Sequence, residues 1–228
     1  MDTRTIRRTK VALPSLDEPG LALSDVTSLE DMHGRVSGFR YADAKVRELD
    51  LAGAQLVEGR VSGCTAERTR LDAVRADSVE FSCCELPALS WTGSKLSRIV
   101  FRECRLMGAA LEGLALDNVL FEKCKLDYAT FARVRALGPV IFSGCSLREA
   151  AFIGSDLRAA LFDDCDLRLT EFGDGTYRGL DLRGNDLSAV RGVSALKRVI
   201  IDRVQMPQLA DALAGELDVT FGADLDDV

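Results

Sequence analysis

Apolar residues recur at every fifth position of this chain and keep that step for most of its length. The series runs Val36, Tyr41, Val46, Leu51, Leu56, Val61, Ala66, Leu71, Ala76, Phe81, Leu86, Trp91, Leu96, Phe101, Leu106, Leu111, Leu116, Phe121, Leu126 and Phe131. It resumes one residue late at Leu137, Phe142, Leu147, Phe152, Leu157, Phe162, Leu167, Phe172, Tyr177, Leu182 and Leu187. Two residues before each centre stands a residue that is usually small or apolar, such as Ala54, Val79, Ala109, Ala129 or Ala160. Polar residues fill most other positions. A longer period of twenty lies over the five. Phe81, Phe101, Phe121, Phe142 and Phe162 follow it, as do Cys64, Cys84, Cys104, Cys124, Cys145 and Cys165, and Leu86, Leu106, Leu126, Leu147 and Leu167. Three residue types that keep one period and slip together at one place define an internal repeat.

A step of five is neither the 3.6 of a helix nor the 2 of a long strand. It suits a short extended piece followed by a corner. Within the piece, side chains alternate, so the centre and the residue two before it both point inward. Corners every five residues and a full turn every twenty give four sides per turn. Like residues then stack one rung apart, in a core narrow enough that a large centre wants a small neighbour. Ala66 and Ala76 are too small to fill it well, and Asp31 breaks the pattern at its N-terminal end.

The segments Cys145-Ser-Leu-Arg-Glu, Ala150-Ala-Phe-Ile-Gly, Ser155-Asp-Leu-Arg-Ala and Cys165-Asp-Leu-Arg-Leu carry a recognisable motif. It resembles the A-(D/N)-L-x-x unit of the pentapeptide repeat family, including its Qnr- and MfpA-like gyrase-interacting members. The resemblance covers roughly residues 36–190. It implies an all-β solenoid, a right-handed quadrilateral β-helix, with about eight coils by the count of centres and a C-terminal capping α-helix. At ~4.8 Å per rung the rod is roughly 37 Å long.

Residues 1–35 are expected to form an N-terminal cap or irregular first coil over an otherwise open sheet edge. The lone histidine, His33, belongs there and reads as an ordinary loop residue. Residues 36–190 form the β-helix, and residues 191–228 a C-terminal cap with a short helix at 206–217 and an acidic tail. Pro207 suits the first helical turn, and Leu209, Leu213 and Leu217 mark one helix face. In the better known family members such a helix also makes a two-fold dimer, so the resemblance implies a homodimer. A small strand is possible at 219–221. The one-residue slip is read as a bulged corner at 132–136, and Trp91 as core. The glycine-rich stretch 173–179 stays in the five-residue phase with Tyr177 as a centre. It lacks the strand–turn–helix context of a nucleotide loop.

Six of the seven cysteines stand two before a centre, pointing inward, and Cys83 points outward. Rungs keep Cβ atoms ~4.8 Å apart where a disulfide wants ~3.8 Å, so free thiols are expected. Their spacing and the single histidine suggest no metal site, and no cofactor motif is present. Without a secretory signal or an eighteen-residue apolar run, and with reduced thiols, the expected compartment is the cytoplasm.

Candidate chemistry is sparse. One histidine supports no Ser-His or Cys-His pair, and a regular coil spreads carboxylates over convex faces, so no catalytic residue is expected. Surface charge is what remains. Net charge is −7, and residues 202–228 hold seven acids against one base. The phenylalanine side carries the best acidic row: Glu80, Glu103, Glu122, Asp163, Asp164 and Asp181. Arg102, Lys123 and Arg183 reduce it to −3. Duplex DNA carries ~14 charges over the same ~24 Å, so this row is a thin imitation of DNA. No basic patch interleaved with aromatics suggests direct nucleic-acid binding. The family resemblance implies a DNA-mimic modulator or protector of DNA gyrase or topoisomerase IV, acting in topoisomerase-poison resistance. The alternative is a scaffold rod of unknown partner.

Overall fold

A computed structural model of the chain describes residues 2–30, 34–158, 160–220 and Gly222; His33 lies outside them, as does most of the acidic tail. The five-residue step becomes a four-sided coil. Most centres and most of the residues two before them are buried along the rod, from Val36 to Leu187. The residue two after a centre turns the corner in left-handed backbone. Cys83 (φ 52), Glu103 (φ 54), Lys123 (φ 52) and Asp164 (φ 53) do this on one edge. A left-handed conformation costs a non-glycine residue about 1 kcal/mol. Corner amides offset that by bonding to the next rung, as Cys83 N does to Arg102 O (2.9 Å), Glu103 N to Glu122 O (2.9 Å) and Lys123 N to Ser143 O (2.8 Å).

The rungs pair in parallel, Phe81 against Phe101, Phe101 against Phe121, and Phe121 against Phe142. They form one sheet of nine strands and one of seven. The solenoid has about seven turns rather than eight. The phase does persist to Leu187, but the last rung is tied by single bridges such as Asp181 to Ile200 instead of strands.

Stacking makes the core. Successive phenylalanine centroids lie 5.0, 4.8, 4.7 and 4.7 Å apart from Phe81 to Phe162. A second column runs Phe131, Phe152, Phe172, and the two meet edge-on, as at Phe131 and Phe142 (5.7 Å). Such pairs add roughly 0.5–1.5 kcal/mol beyond area burial. Trp91 is buried, edge-on to both Phe81 and Phe101. The inner positions admit larger residues than expected, with Leu89 beside Trp91 and Ile99 beside Phe101. Axial compensation is visible at Phe39, whose ring fills the space a side chain at Gly59 would need. In the same part of the core an apolar void of about 10 Å³ is lined by Leu51, Leu56, Val61, Leu71 and Phe81.

All seven cysteines are free, six buried and Cys83 exposed. The buried thiols are more than small hydrophobes. Each Sγ from Cys104 to Cys165 points at the centre carbonyl of the preceding rung, as Cys124 does to Phe101 O (3.4 Å) and Cys145 to Phe121 O (3.4 Å). Ser155 and Thr170 donate hydroxyls in the same way. The position therefore favours a small side chain with a donor. Burial pushes the Cys64 thiol up to about 11.

The slip lies a few residues later than the spacing predicts. Ala136 pairs with Leu116 twenty residues back, and Val140 pairs with Val119 twenty-one back. The extra residue is thus in 137–139, not 132–136. Ala136 takes the inward place, and Leu137, expected as a centre, is 66% exposed. Leu137 N and Gly138 N both bond Leu116 O, which is how the bulge closes. Residues 173–179 form an ordinary rung. Gly175 makes room for the Tyr177 ring, whose hydroxyl donates to Phe152 O and Gly173 O.

The last coil is closed by side chains. Gln205 Nε2 donates to Leu182 O (2.9 Å) and Asn185 O (2.7 Å), and Gln208 accepts from Leu187 N (3.1 Å). Gln208 lies in helix α1, Met206–Glu216, and Gln205 is the residue immediately before it. Of the expected stripe only Leu209 packs against the core, whereas Leu213 and Leu217 face outward; Ala212, outside that stripe, is buried. Val219 and Thr220 are not in a strand.

At the other end, residues 2–13 do not close the first coil. Strands β1 (Thr3–Ile6) and β2 (Thr9–Ala12) form an antiparallel hairpin that lies along the flank of the rod. The first coil is covered instead by later residues, with Leu29 packed among Leu49, Leu51 and Leu56.

Candidate interaction surface

The inward residues are used for packing, so groups able to meet a partner lie on the faces, the corners and the two ends. On the phenylalanine side the six candidate carboxylates share one flank but differ in environment. Glu80 is flanked by Arg102 (3.0 Å) and Arg60 (3.5 Å). Glu122 meets Arg102 (2.9 Å) and Arg4 of the hairpin. Asp163 meets Arg7 of the hairpin turn (2.8 Å). Asp181 makes a bidentate pair with Arg183 (2.6 and 2.9 Å). Glu103 and Asp164 stay exposed at left-handed corners, Glu103 with the Cys83 thiol at 4.0 Å.

Two carboxyls of the row are shifted by these contacts. Burial pushes the Glu122 carboxyl up, but the Arg4 and Arg102 guanidiniums outweigh it and hold the group below its ordinary value. At Asp181 burial likewise opposes, and Arg183 prevails in lowering the group. Glu80, Glu122, Asp163 and Asp181 are thus each paired with arginine, which thins the row's outward negative field further.

The motif that marks the repeat has its own geometry. In Asp156-Leu157-Arg158 and Asp166-Leu167-Arg168 the arginine reaches back to grip the aspartate (2.6 Å each), and the arginine amide bonds the same carboxylate. Opposite charges two apart thus close on themselves around a buried leucine. The face that follows the cysteines is balanced in the same manner, with Arg105 on Glu85 and Arg148 on Asp127.

The hairpin is the element the sequence reading missed. Ile6, Val11 and Leu13 pack on Val100, Leu120, Ile141 and Leu161. Arg7 turns the hairpin at φ 54 and lays its guanidinium on Gly184, where a Cβ would stand 2.8 Å from Nη2. Farther along, Asp17 meets Arg60 (3.3 Å). The chain from Arg7 to Asp17 thus straps the side on which the acidic row lies.

At the C-terminal end, Val204, Met206, Leu213 and Leu217 are exposed apolar residues on or beside α1. A groove of about 540 Å³ opens between α1 and the last coil, lined in part by Glu171, Arg191, Asp211 and Glu216. Among the described residues no three His, Cys, Asp or Glu side chains gather as a metal site, and no helix is long and apolar enough to cross a membrane.

A β-solenoid of stacked five-residue units, closed by one short helix, is the class this geometry defines. Residues 114–191 match the family model described as a pentapeptide repeat region. Among solved structures, a trypsin-treated variant of QnrB1, a plasmid-mediated fluoroquinolone resistance protein, is similar at 15% identity. That match covers 77% of this chain and 96% of the other, with a TM-score of 0.48. Full-length QnrB1 is 20% identical over 84% of this chain and 96% of its own, with a TM-score of 0.41. HetL, a pentapeptide repeat protein involved in heterocyst differentiation regulation from the cyanobacterium Nostoc sp. strain PCC 7120, is 18% identical. It is covered over 86%, against 73% of this chain, with a TM-score of 0.32. No curated protein matches.

Proposed function

We propose that this protein acts in the cytoplasm by protein–protein contact and without catalysis. Its partner is a type II topoisomerase, DNA gyrase or topoisomerase IV, which it modulates or protects from a bound inhibitor. The observation that carries the contact reading is the division of labour in the repeat. Inward positions fill a continuous apolar core, and chemistry-bearing side chains stand on flat outer faces and at the ends. Such a body offers area and register to a partner rather than a pocket to a substrate. The topoisomerase as partner rests on the resemblance of the repeat motif. Two copies joined through Val204, Met206, Leu213 and Leu217 would double the rod and present one face twice.

DNA mimicry on the phenylalanine side depends on Glu103 and Asp164, the two exposed acids of the row. The test is direct binding of the purified protein to immobilised gyrase at low and high salt. Binding that weakens with salt and with Glu103→Lys plus Asp164→Lys supports mimicry on this face. Binding indifferent to both rejects it. The second reading, a scaffold rod with another partner, is favoured by one observation: Arg4, Arg7, Arg102 and Arg183 already pair with the row. Absence of any gyrase binding leaves that reading in place.

A further inference from the structure

On the phenylalanine side, four consecutive rungs put an apolar residue at an outward position: Val100, Leu120, Ile141 and Leu161, each at most 2% exposed. Glu80 and Asp181 hold the same position in the rungs on either side. A rod that left this column bare would show a hydrophobic stripe of the kind that marks an interaction site. The chain covers the stripe with its own hairpin. Ile6 and Val11 bury themselves on it, and Arg4 and Arg7 reach the bordering carboxylates of Glu122 and Asp163. Among the described residues, one hydrogen bond from the hairpin backbone goes to the rod, Ala12 N to Asn118 Oδ1 (2.8 Å). The hairpin forms a sheet of its own, outside the ladders of the coil. The rungs are complete without it.

We propose that this flank is a docking surface for an extended, alternating apolar and basic segment of a partner protein. The N-terminal hairpin is its resident occupant and is exchanged when the partner binds. The proposal rests on the reading of the rod as a protein-binding body, and it adds the face and the chemistry of the partner. The occupant itself displays that chemistry: apolar side chains for the stripe and guanidiniums for the carboxylates on its border. Its hold is light. Both ion pairs are partly exposed, with the Arg4 side chain at 39% and that of Arg7 at 26%, and such pairs add little. The tether suits release, because residues 17–20 are exposed and Pro19-Gly20 ends in left-handed backbone. Exchange therefore costs the coil no rung-to-rung hydrogen bond.

The probe is a fluorescent peptide of residues 2–14, read by polarisation against two forms of the full chain. In the native chain the hairpin competes. In the Arg4→Glu, Arg7→Glu chain it is repelled by Glu122 and Asp163, and trypsin cuts after Arg8 and Lys10 report its release. The released chain should bind the peptide roughly tenfold tighter, since apparent affinity scales with the fraction of open sites. A peptide carrying the same two glutamates should not bind. Equal binding to both chains, or equal binding of the reversed peptide, overturns the proposal. Should the variant not fold, a native chain cut at a protease site placed within residues 17–20 serves instead. The labelled peptide must then replace the severed arm, and failure to incorporate overturns the proposal too. Gyrase takes no part in the assay, so its outcome is separate from that of the topoisomerase reading.

Discussion

Changing Gly59 to alanine adds one methyl group where the structure has no room for it. Gly59 stands two before the centre Val61, and a Cβ built there lies 2.0 Å from Phe39 Cε1 and 2.2 Å from Cζ. Phe39 is wholly buried one rung away, so the ring has nowhere to move. Gly59 is not among the left-handed glycines, so the penalty is steric. Overpacking of this kind costs about 1–3 kcal/mol, and alanine regains about 0.5–1 kcal/mol of backbone entropy, leaving a net loss near 1.5 kcal/mol. Phe39→Leu alone leaves part of the ring's volume empty and costs about 1–2 kcal/mol. In the double variant the leucine vacates the ring's place and the methyl fills it. The pair should therefore cost about 1–2 kcal/mol less than the sum of the singles. Equilibrium guanidinium unfolding, followed by Trp91 fluorescence and by circular dichroism, measures the cycle. Gly93→Ala is the control. Its Cβ would meet nothing within 4 Å but it sits at φ +56, so it should cost about 1 kcal/mol with no coupling to Phe39. Additive losses for Gly59 and Phe39 would refute axial compensation as the packing rule of this core.

A thiol reagent should modify Cys83 quickly in the native protein and the six inward cysteines only on unfolding, counted by mass. Gln205→Ala should cost about 1–3 kcal/mol in denaturant titration, because it strips the Gln205 donor from the buried Asn185 carbonyl, whereas Leu182 O keeps Asn185 Nδ2. Acid should destabilise the fold. Glu122 and Asp181 have lowered folded values, so their stabilisation is present above the ordinary carboxylate range and fades as pH falls through the folded values. Melting temperature should be flat from neutral pH down to about 5 and drop below about 4, with Glu122→Gln flattening part of that drop. Leu213→Asp with Leu217→Asp should leave the melting temperature near native and, if two copies join through α1, convert a dimer to a monomer in light scattering.

The coil was legible because its signal is redundant. Each inward position is repeated once per rung, so no single exception, such as Ala66 or Ala76, hides the period. The slip was misplaced by a few residues for a local reason. Leu137 is the more apolar residue, but Ala136 keeps the register with Leu116, and hydrogen bonds outrank one side chain's preference at a corner. The hairpin went unseen for a different reason. Its own strands are four residues each, below the length at which alternation is persuasive, and its hydrogen bonds to the rod span separations such as 106 and 118 residues. A trace was present in the rod: Val100, Leu120, Ile141 and Leu161 break the outward-polar rule in one column. The acidic row was visible as charges, but not the pairing with Arg4 and Arg7 that fixes how much of it faces solvent. The helix was placed within a residue of its observed end, yet its inward face runs through Leu209 and Ala212, because the coil end is flat and narrow.

Supercoiling by gyrase, assayed with the purified protein in the presence and absence of a fluoroquinolone, tests the proposed function most directly. Inhibition of supercoiling, or recovery of it from the drug, is the result expected of a rod that contacts the topoisomerase. Unchanged supercoiling in both formats, at protein concentrations well above that of the enzyme, would contradict it.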